Sequence, residues 1–182
     1  MRLLGLSGSL RAASTNTALL HGLAGALPAG AVMEVIAPGH LPLFSPDLEG
    51  PPAPPAVDAF AADVARADGI VVSCPEYARA VPGAFKNAID WLVGREECIG
   101  KPIVLAHASH RGEDVLAQLR LVLGTVSENF WPDIHARFSL ISMTRDEVAA
   151  HLASPDNTRV MQAFLAEFLG RITERVTGAR TV

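Results

Sequence analysis

The 182-residue chain has few of the residues that mark several common classes of protein. Its two cysteines, Cys74 and Cys98, are too few for a disulfide framework and too far apart for a CxxC motif. Aromatic residues make up only 5% of the chain, which argues against platforms that stack on nucleic-acid bases. The net charge is −4 and no block of lysine and arginine provides the basic surface that a phosphate backbone requires. We therefore expect no nucleic-acid partner.

Long apolar runs are also missing. Hydrophobic residues make up 49% of the chain, but no run approaches the roughly 18 apolar residues of a membrane-spanning helix, so no membrane partner is expected. The first predicted strand begins at Arg2, which leaves no room for a signal peptide before it. With few cysteines as well, these features predict a cytoplasmic protein. The length suits a single domain over residues 1–182.

Short apolar runs alternate with helical patterns along the chain. Their order predicts an α/β protein with a parallel sheet and helices on both faces, a three-layer sandwich. Five strands suit the flavodoxin-like order 2-1-3-4-5, in which ligands bind where the first and third strands end. Strands are predicted at 2–7, 32–36, 69–74, 103–107 and 138–141, helices at 15–26, 57–67, 83–93, 115–126 and 158–176, and irregular segments at 37–55 and 127–136.

The loop after the first strand reads Ser-Gly-Ser-Leu-Arg-Ala-Ala-Ser-Thr-Asn-Thr over residues 7–17. It is neither GxGxxG nor GxxxxGK[ST], so neither a dinucleotide fingerprint nor a P-loop is present. It instead places five hydroxyls, one amide and the Arg11 guanidinium ahead of a helix N-terminus. This donor set suits a terminal phosphate, although Ser14 or Asn16 could simply cap the helix.

A second loop follows the third strand at Pro75 and runs to a helix that opens at Pro82-Gly83. It holds one acid, Glu76, and one aromatic residue, Tyr77, and it leaves the carboxyl end of a buried strand. Such a loop suits a flat, partly apolar ligand better than a metal or a nucleophile. Cys74, at the end of the apolar run, is interpreted as a buried small hydrophobe rather than a catalytic thiol.

Two motifs together resemble the NADPH-dependent FMN reductase family, which includes flavodoxin-like quinone, azo-dye and chromate reductases. The first is Gly-Ser-Leu-Arg-x-x-Ser-x-Asn at residues 8–16. The second is Pro-Glu-Tyr at 75–77, followed by Pro-Gly-x-x-Lys-Asn-Ala-Ile-Asp-Trp at 82–91. The similarity extends over roughly residues 1–142 and includes the connection after the second strand at 41–49.

The resemblance implies an FMN-dependent oxidoreductase that passes a hydride from NAD(P)H through the flavin to a quinone or a similar small acceptor. It implies no catalytic side chain, no metal, and a homodimer or homotetramer that buries helices 83–93 and 115–126. The FMN phosphate would be held by Ser9, Arg11, Ser14, Asn16 and Thr17. The ring would be bordered by Pro75, Glu76, Tyr77 and Ala78, largely through main-chain groups, and by Ser109 and His110 after the fourth strand.

The chain departs from the family pattern at two places. Ala78 stands where relatives usually carry asparagine, and His110-Arg111 replaces a proline-glycine pair in the loop after the fourth strand. The bulky pair could narrow the pocket, change the acceptor, contact a nicotinamide phosphate or point to solvent. An alternative function is therefore a flavin-binding protein with little turnover. A one-electron carrier is disfavoured because Arg11, Arg79 and Arg111 surround the predicted site, whereas flavodoxins are acidic there.

Several other residues have two interpretations. Glu76 could act as a general acid, but a salt-bridged or solvated loop acid is the more common case. Lys86, Asn87 and Asp90 are close to one helical turn apart, which favours structural pairing, and Trp91 is interpreted as a packing or interface residue. His107 and His110 are spaced like a metal pair, but no further cysteine or carboxylate completes a site.

Overall fold

The computed structural model describes residues 1–178 and shows a five-stranded parallel sheet with helices on both faces. The strand order is β2-β1-β3-β4-β5, which confirms the predicted fold class and order. The strands are β1 (Arg2–Ser7), β2 (Val32–Ile36), β3 (Gly69–Ser73), β4 (Ile103–His107) and β5 (Phe130–Arg137). The helices are α1 (Thr15–Gly25), α2 (Pro55–Arg66), α3 (Gly83–Val93), α4 (Glu113–Val126), α5 (Arg145–Leu152) and α6 (Pro155–Gly178), with a 3₁₀ turn at Pro46–Leu48.

Two apolar cores cover the two faces of the sheet, because successive residues of a strand point to opposite sides. On one face, Leu4 and Leu6 of β1 pack with α2, α3 and α4. On the other, Leu3 of β1 and Val71 of β3 pack with α1, α5 and α6. Strands β3 and β4 are buried along their whole length, as expected of parallel strands covered on both faces.

The predicted fifth strand at 138–141 is wrong, and so is the prediction that 127–136 is irregular. The strand is Phe130–Arg137, an edge strand in which Ile134 and Ala136 are buried and the residues on either side of each are exposed. Proline and charged residues are tolerated there because one edge of the strand has no partner strand. Residues 138–144 form a loop, although Phe138 and Leu140 are buried in the second core.

A short helix, α5, lies between β5 and α6 and was not predicted. Its start is encoded by a capping box, in which the Thr144 hydroxyl accepts from the Glu147 backbone N–H and the Glu147 carboxylate accepts from the Thr144 backbone N–H. Val148 and Leu152 bury its apolar side. Within residues 1–178, no helix is both long enough and apolar enough to cross a membrane.

Helix α3 holds the long connection that follows β2. The carbonyl of Pro42 accepts from Asn87 Nδ2 at 2.9 Å and from Trp91 Nε1 at 2.8 Å, and Trp91 packs edge-to-face on Phe44. Lys86 forms an ion pair with Asp90, one turn further along the helix. The structural interpretations of Asn87, Trp91 and the lysine–aspartate pair are therefore confirmed.

Candidate functional site

Two adjoining cavities lie at the carboxyl-terminal edge of the sheet. The first, which we call the strand-end cavity, has a volume of about 300 Å³ and lies between the loops that follow β1, β3 and β4. The second, the α1–α5 cavity, has a volume of about 690 Å³ and lies between the loop before α1 and the loop before α5. Both volumes fall within the range of small-molecule pockets. Thr15 and Ile141 line both cavities, so the two adjoin.

Internal hydrogen bonds fix the loop between β1 and α1. Ser14 is the N-cap of α1, and its hydroxyl accepts from Thr17 N–H at 3.3 Å. The hydroxyls of Ser7 and Thr17 are 2.8 Å apart, and the Ser73 hydroxyl donates to Asn16 Oδ1 at 3.0 Å. The predicted capping role of Ser14 is therefore real, and it leaves the rest of the donor set in place around the helix N-terminus.

Several donors at this N-terminus have no partner within the described part of the chain. They are the backbone N–H groups of Thr15 and Asn16 and the side-chain amide of Asn16, and both residues line the strand-end cavity. The first turn of α1 carries no acid to offset the positive end of the helix dipole. The arrangement therefore offers an anion several free donors and a favourable field.

The loop also lies very close to the end of β3. Gly8 donates its N–H to the Ser73 carbonyl at 2.8 Å, and a Cβ on Gly8 would lie 2.3 Å from Cys74 Sγ. Glycine is therefore required here, because two segments of the backbone approach each other closely. Cys74 is 1% exposed, and burial raises the pKa of its thiol to about 12. The interpretation of Cys74 as a buried apolar residue is confirmed.

The loop between β3 and α3 is tied to helix α4. The Glu76 carboxylate accepts the Val115 backbone N–H at 3.0 Å, which satisfies a donor at the start of α4. Gln118 donates to the Arg79 carbonyl at 2.9 Å and accepts from Val81 N–H at 3.1 Å. Glu76 is therefore a structural acid that caps a neighbouring helix, rather than the salt-bridged or solvated loop acid that was expected.

Residues 77–80 of this loop form a two-residue hairpin. Tyr77 and Ala80 exchange backbone hydrogen bonds of 3.0 Å in both directions. The central residues, Ala78 and Arg79, have φ values of 51° and 62°, which indicates a type I′ turn. The left-handed region favours glycine and asparagine over alanine. The asparagine that the resemblance implies at the position of Ala78 would thus suit this conformation.

The loop between β4 and α4 forms the opposite wall. His107 is 5% exposed, its Nε2 lies 2.5 Å from the Arg111 carbonyl, and burial lowers the pKa of its imidazole. Because a carbonyl can only accept, the neutral ring carries its proton on Nε2. Gly112 has a φ of 100°, and a Cβ there would lie 2.8 Å from the same nitrogen. The glycine and histidine thus fix the turn before α4.

The residues that the sequence indicated are distributed over both cavities. The strand-end cavity is lined by Asn16, Pro75, Glu76 and Ser109, and the α1–α5 cavity by Arg11, Ser14 and Thr17. Ser9 is buried, and its hydroxyl accepts from Arg11 N–H at 3.4 Å. Four predicted residues line neither of these two cavities: Ser9, Tyr77 and Ala78, of which the last two are exposed, and His110, which bonds to Ser139 at 3.0 Å.

Other residues that line the cavities were not among the predicted binding residues, although the sequence places Thr15 and Arg111 in loops beside the site. In the strand-end cavity they include Thr15, Cys74, His107, Ala108, Arg111, Gly112 and Ile141. In the α1–α5 cavity they include His21 and the loop 140–145. This loop was missed because residues 138–141 were predicted to be a strand. The capping box at Thr144–Glu147 is a sequence signal for the start of α5, and it would have indicated a loop before that helix.

Comparisons with known proteins agree with this geometry. The model of the NADPH-dependent FMN reductase family matches residues 1–136. A 2-hydroxy-1,4-benzoquinone reductase of a Burkholderia species is 30% identical over 181 residues, which cover 92% of this chain and 94% of the relative. The chain belongs to the NADPH-dependent FMN reductase family.

Two further relatives of this FMN reductase family match over shorter stretches. An NAD(P)H-dependent FMN reductase of Pseudomonas aeruginosa is 37% identical over 111 residues, which are 60% of each chain. A quinone reductase of Escherichia coli is 36% identical over 108 residues, 57% of each chain. The match thus spans little more than half the length of these two relatives.

Solved structures show the same fold. FerB, a flavoenzyme NAD(P)H:(acceptor) oxidoreductase from Paracoccus denitrificans, superimposes with a TM-score of 0.76 at 24% identity and covers 95% of this chain and 97% of its own. At that identity the likeness concerns the architecture alone.

The residues present fit the cofactor of the family. Free N–H donors at the start of α1 suit a phosphate, and Pro75, Cys74, Ala108 and Ile141 give the strand-end cavity an apolar lining that suits a flat ring. The only carboxylate that lines this cavity, Glu76, already accepts a backbone N–H from α4.

Proposed function

We propose that the protein is an FMN-dependent NAD(P)H oxidoreductase that reduces quinones or similar small acceptors. The observation that carries this proposal is the adjacency of two motif loops at the β1/β3 switch point of the sheet, with free helix N–H donors on one side and an apolar wall on the other. The relatives named quinone reductase support the acceptor class.

FMN would supply the redox chemistry, because a flavin can take a hydride from a nicotinamide and deliver electrons to a second substrate. The protein's own contribution is to bind, orient and shield it. Asn16 and the N–H groups of Thr15 and Asn16 would hold the phosphate, with Ser9, Ser14 and Thr17 in the same loop. Pro75, Glu76 and Ser109 would border the ring, with the main chain of Tyr77 and Ala78 next to them.

Anaerobic reduction of the FMN-loaded protein tests the redox function. We expect NADH or NADPH to bleach the flavin absorbance and a quinone to restore it. A protein that binds FMN but is not reduced by either nicotinamide would be the flavin-binding alternative. A protein that does not bind FMN would refute the proposal.

A single charge tests the phosphate end. Asn16→Asp keeps the oxygen that accepts from the Ser73 hydroxyl but places a negative charge at the start of α1. We expect the affinity for FMN to fall at least about tenfold, which corresponds to about 1.4 kcal/mol. Affinity for riboflavin, which has no phosphate, should change far less. Equal losses for both ligands would contradict a phosphate site at this helix.

We further propose a homodimer or homotetramer in the cytoplasm. Helices α3 and α4 contact each other, and each exposes an aliphatic residue: Val93 is 63% exposed and Leu121 is 73% exposed. Sedimentation at micromolar concentration should show an oligomer. Leu121→Glu should dissociate it, whereas Val160→Glu on α6 should not. A wild-type monomer would exclude the proposed assembly.

A further inference from the structure

Two arginines belong to the lining of the α1–α5 cavity, as far as residues 1–178 define it. Its lining includes Arg11, Arg145 and His21, and no aspartate or glutamate lines it. The remaining lining consists of small, hydroxyl-bearing and aliphatic residues. An anion in this cavity would therefore meet no carboxylate on its walls.

Neither arginine side chain has a polar partner in the part of the chain that the structure describes. The side chains of Arg11 and Arg145 make no hydrogen bond and no ion pair with any residue between 1 and 178. In a third cavity, by contrast, Arg95 is paired with both Asp58 and Glu97. Unpaired guanidinium groups are available for the bidentate contacts that they form with phosphate.

Helix stability does not explain the position of Arg145. It is the first residue of α5, where the positive end of the helix dipole disfavours a cation. Two acids, Asp146 and Glu147, share this first turn. The Glu147 carboxylate is bonded to the backbone and hydroxyl of Thr144, and no ion pair joins Asp146 to Arg145. Arg145 therefore stands beside a cavity that can hold an anion, without an ion-pair partner in its own helical turn.

The α1–α5 cavity also adjoins the proposed flavin pocket. Thr15 and Ile141 line both, so a ligand whose flat portion fills the strand-end cavity can extend a charged group towards Arg11 and Arg145. The two arginines come from different segments of the lining, one before α1 and one at the start of α5.

We propose that Arg145 binds a phosphate monoester dianion in the α1–α5 cavity, together with Arg11. This inference rests on the proposed function, because that function supplies two such groups: the 5′-phosphate of FMN and the 2′-phosphate that distinguishes NADPH from NADH. Arg145 thereby becomes a binding residue in a segment that lies beyond the match to the family model.

The test compares Arg145→Ala and Arg145→Lys with Arg175→Ala. Arg175 is an exposed arginine of α6 whose side chain lies near Gly100, ahead of β4 and hence at the opposite edge of the sheet. Affinities for FMN and riboflavin, and KM values for NADPH and NADH, are measured for each variant. We expect Arg145→Ala to lower either the FMN preference over riboflavin or the NADPH preference over NADH at least about tenfold. Arg145→Lys should recover part of the loss.

The midpoint of thermal unfolding separates a binding role of Arg145 from a structural role. If Arg145 were structural, its removal would lower the midpoint. Removal of a cation from the first turn of α5 should leave the midpoint unchanged or raise it, while binding weakens. The preference that falls identifies which phosphate is bound. If Arg145→Ala has the same preference for FMN over riboflavin and for NADPH over NADH as Arg175→Ala, the inference is refuted. Wild-type protein that binds neither flavin would instead refute the proposed function and this inference with it.

Discussion

The Glu76 carboxylate accepts the backbone N–H of Val115 at 3.0 Å, so the loop after β3 caps the helix that follows β4. The local N-cap residue, Gly112, has no side chain that could do so. An ion pair between Arg79 and Asp114 at 2.6 Å joins the same two segments near the surface. The loop after β3 and the start of α4, which form two proposed walls of the flavin pocket, are therefore held together by direct polar contacts.

Truncation of this cap should destabilise the protein. We expect Glu76→Ala to lower the free energy of unfolding by about 1 kcal/mol, a typical cost of a lost helix cap. Glu76→Gln retains an oxygen acceptor and should lose less. Urea unfolding measures both, and Glu128→Ala, at an exposed acid of the α4–β5 connection, is the control. A Glu76→Ala variant as stable as the control would show that the carboxylate does not cap α4.

The hairpin at 77–80 predicts a stabilising change. Ala78 occupies the left-handed region with a φ of 51°, which costs an L-residue with a Cβ about 1–2 kcal/mol relative to the right-handed region. Ala78→Gly or Ala78→Asn should raise the midpoint of urea unfolding. Ala80→Gly removes a Cβ from the same hairpin, at a residue whose φ is not positive, and should lower the midpoint. The same shift at both positions would mean that the turn is not type I′.

The close contact between Gly8 and Cys74 predicts that Gly8→Ala is destabilising and that Cys74→Ala partly compensates for it. Gly8→Ala would bring a methyl group within 2.3 Å of Cys74 Sγ, and overpacking of this kind costs about 1–3 kcal/mol. Cys74→Ala removes the sulfur but leaves Cys74 Cβ at 3.0 Å, so the double variant should recover part of the loss. Additive free energies in a double-mutant cycle would contradict direct contact.

His107 predicts a dependence of stability on pH. Burial lowers the pKa of the imidazole, Arg137 lowers it further, and Glu113, Glu76 and the bond to the Arg111 carbonyl oppose the shift. Below the ordinary pKa of about 6.5, the unfolded chain takes up a proton that the folded protein resists. The contribution is therefore complete above that pH and is lost as the pH falls towards the folded-state pKa.

Urea unfolding between about pH 7.5 and about pH 5.5 measures this dependence, because carboxylates with an ordinary pKa near 4 stay ionised there. The free energy of unfolding should fall with pH, and His107→Gln should flatten the profile. His21→Gln replaces an exposed histidine and should leave it unchanged. Parallel profiles for wild type and His107→Gln would exclude His107 as the source.

Sequence patterns predicted most of the fold because the buried strands are continuous apolar runs. Strands β3 and β4 are covered on both faces, so their sequences contain little else. Edge strand β5 alternates buried Ile134 and Ala136 with exposed polar residues and begins beside Pro132, a weak signal next to the apolar segment 138–141. That segment is buried as a loop, which local periodicity cannot distinguish from a strand.

For the candidate site, the sequence predicted the motif loops but not the contacts between distant segments. The loop before α1 and Pro75-Glu76 lie where the motifs placed them, at the edge of the strand-end cavity. The hydrogen bond from the Val115 N–H to Glu76, and the placement of Arg11 and Arg145 in one cavity lining, bring together residues distant in sequence. No local pattern encodes such contacts, because they depend on how the loops meet after the sheet has formed.

The family model ends at residue 136, within the last strand, yet Ile141 beyond it borders both cavities. The family model thus covers the sheet and the two motif loops, whereas one side of both cavities comes from the segment that follows it. We expect the sequence of that short segment to affect ligand choice. Chimeras that exchange residues 138–148 between relatives would place that choice under experimental control.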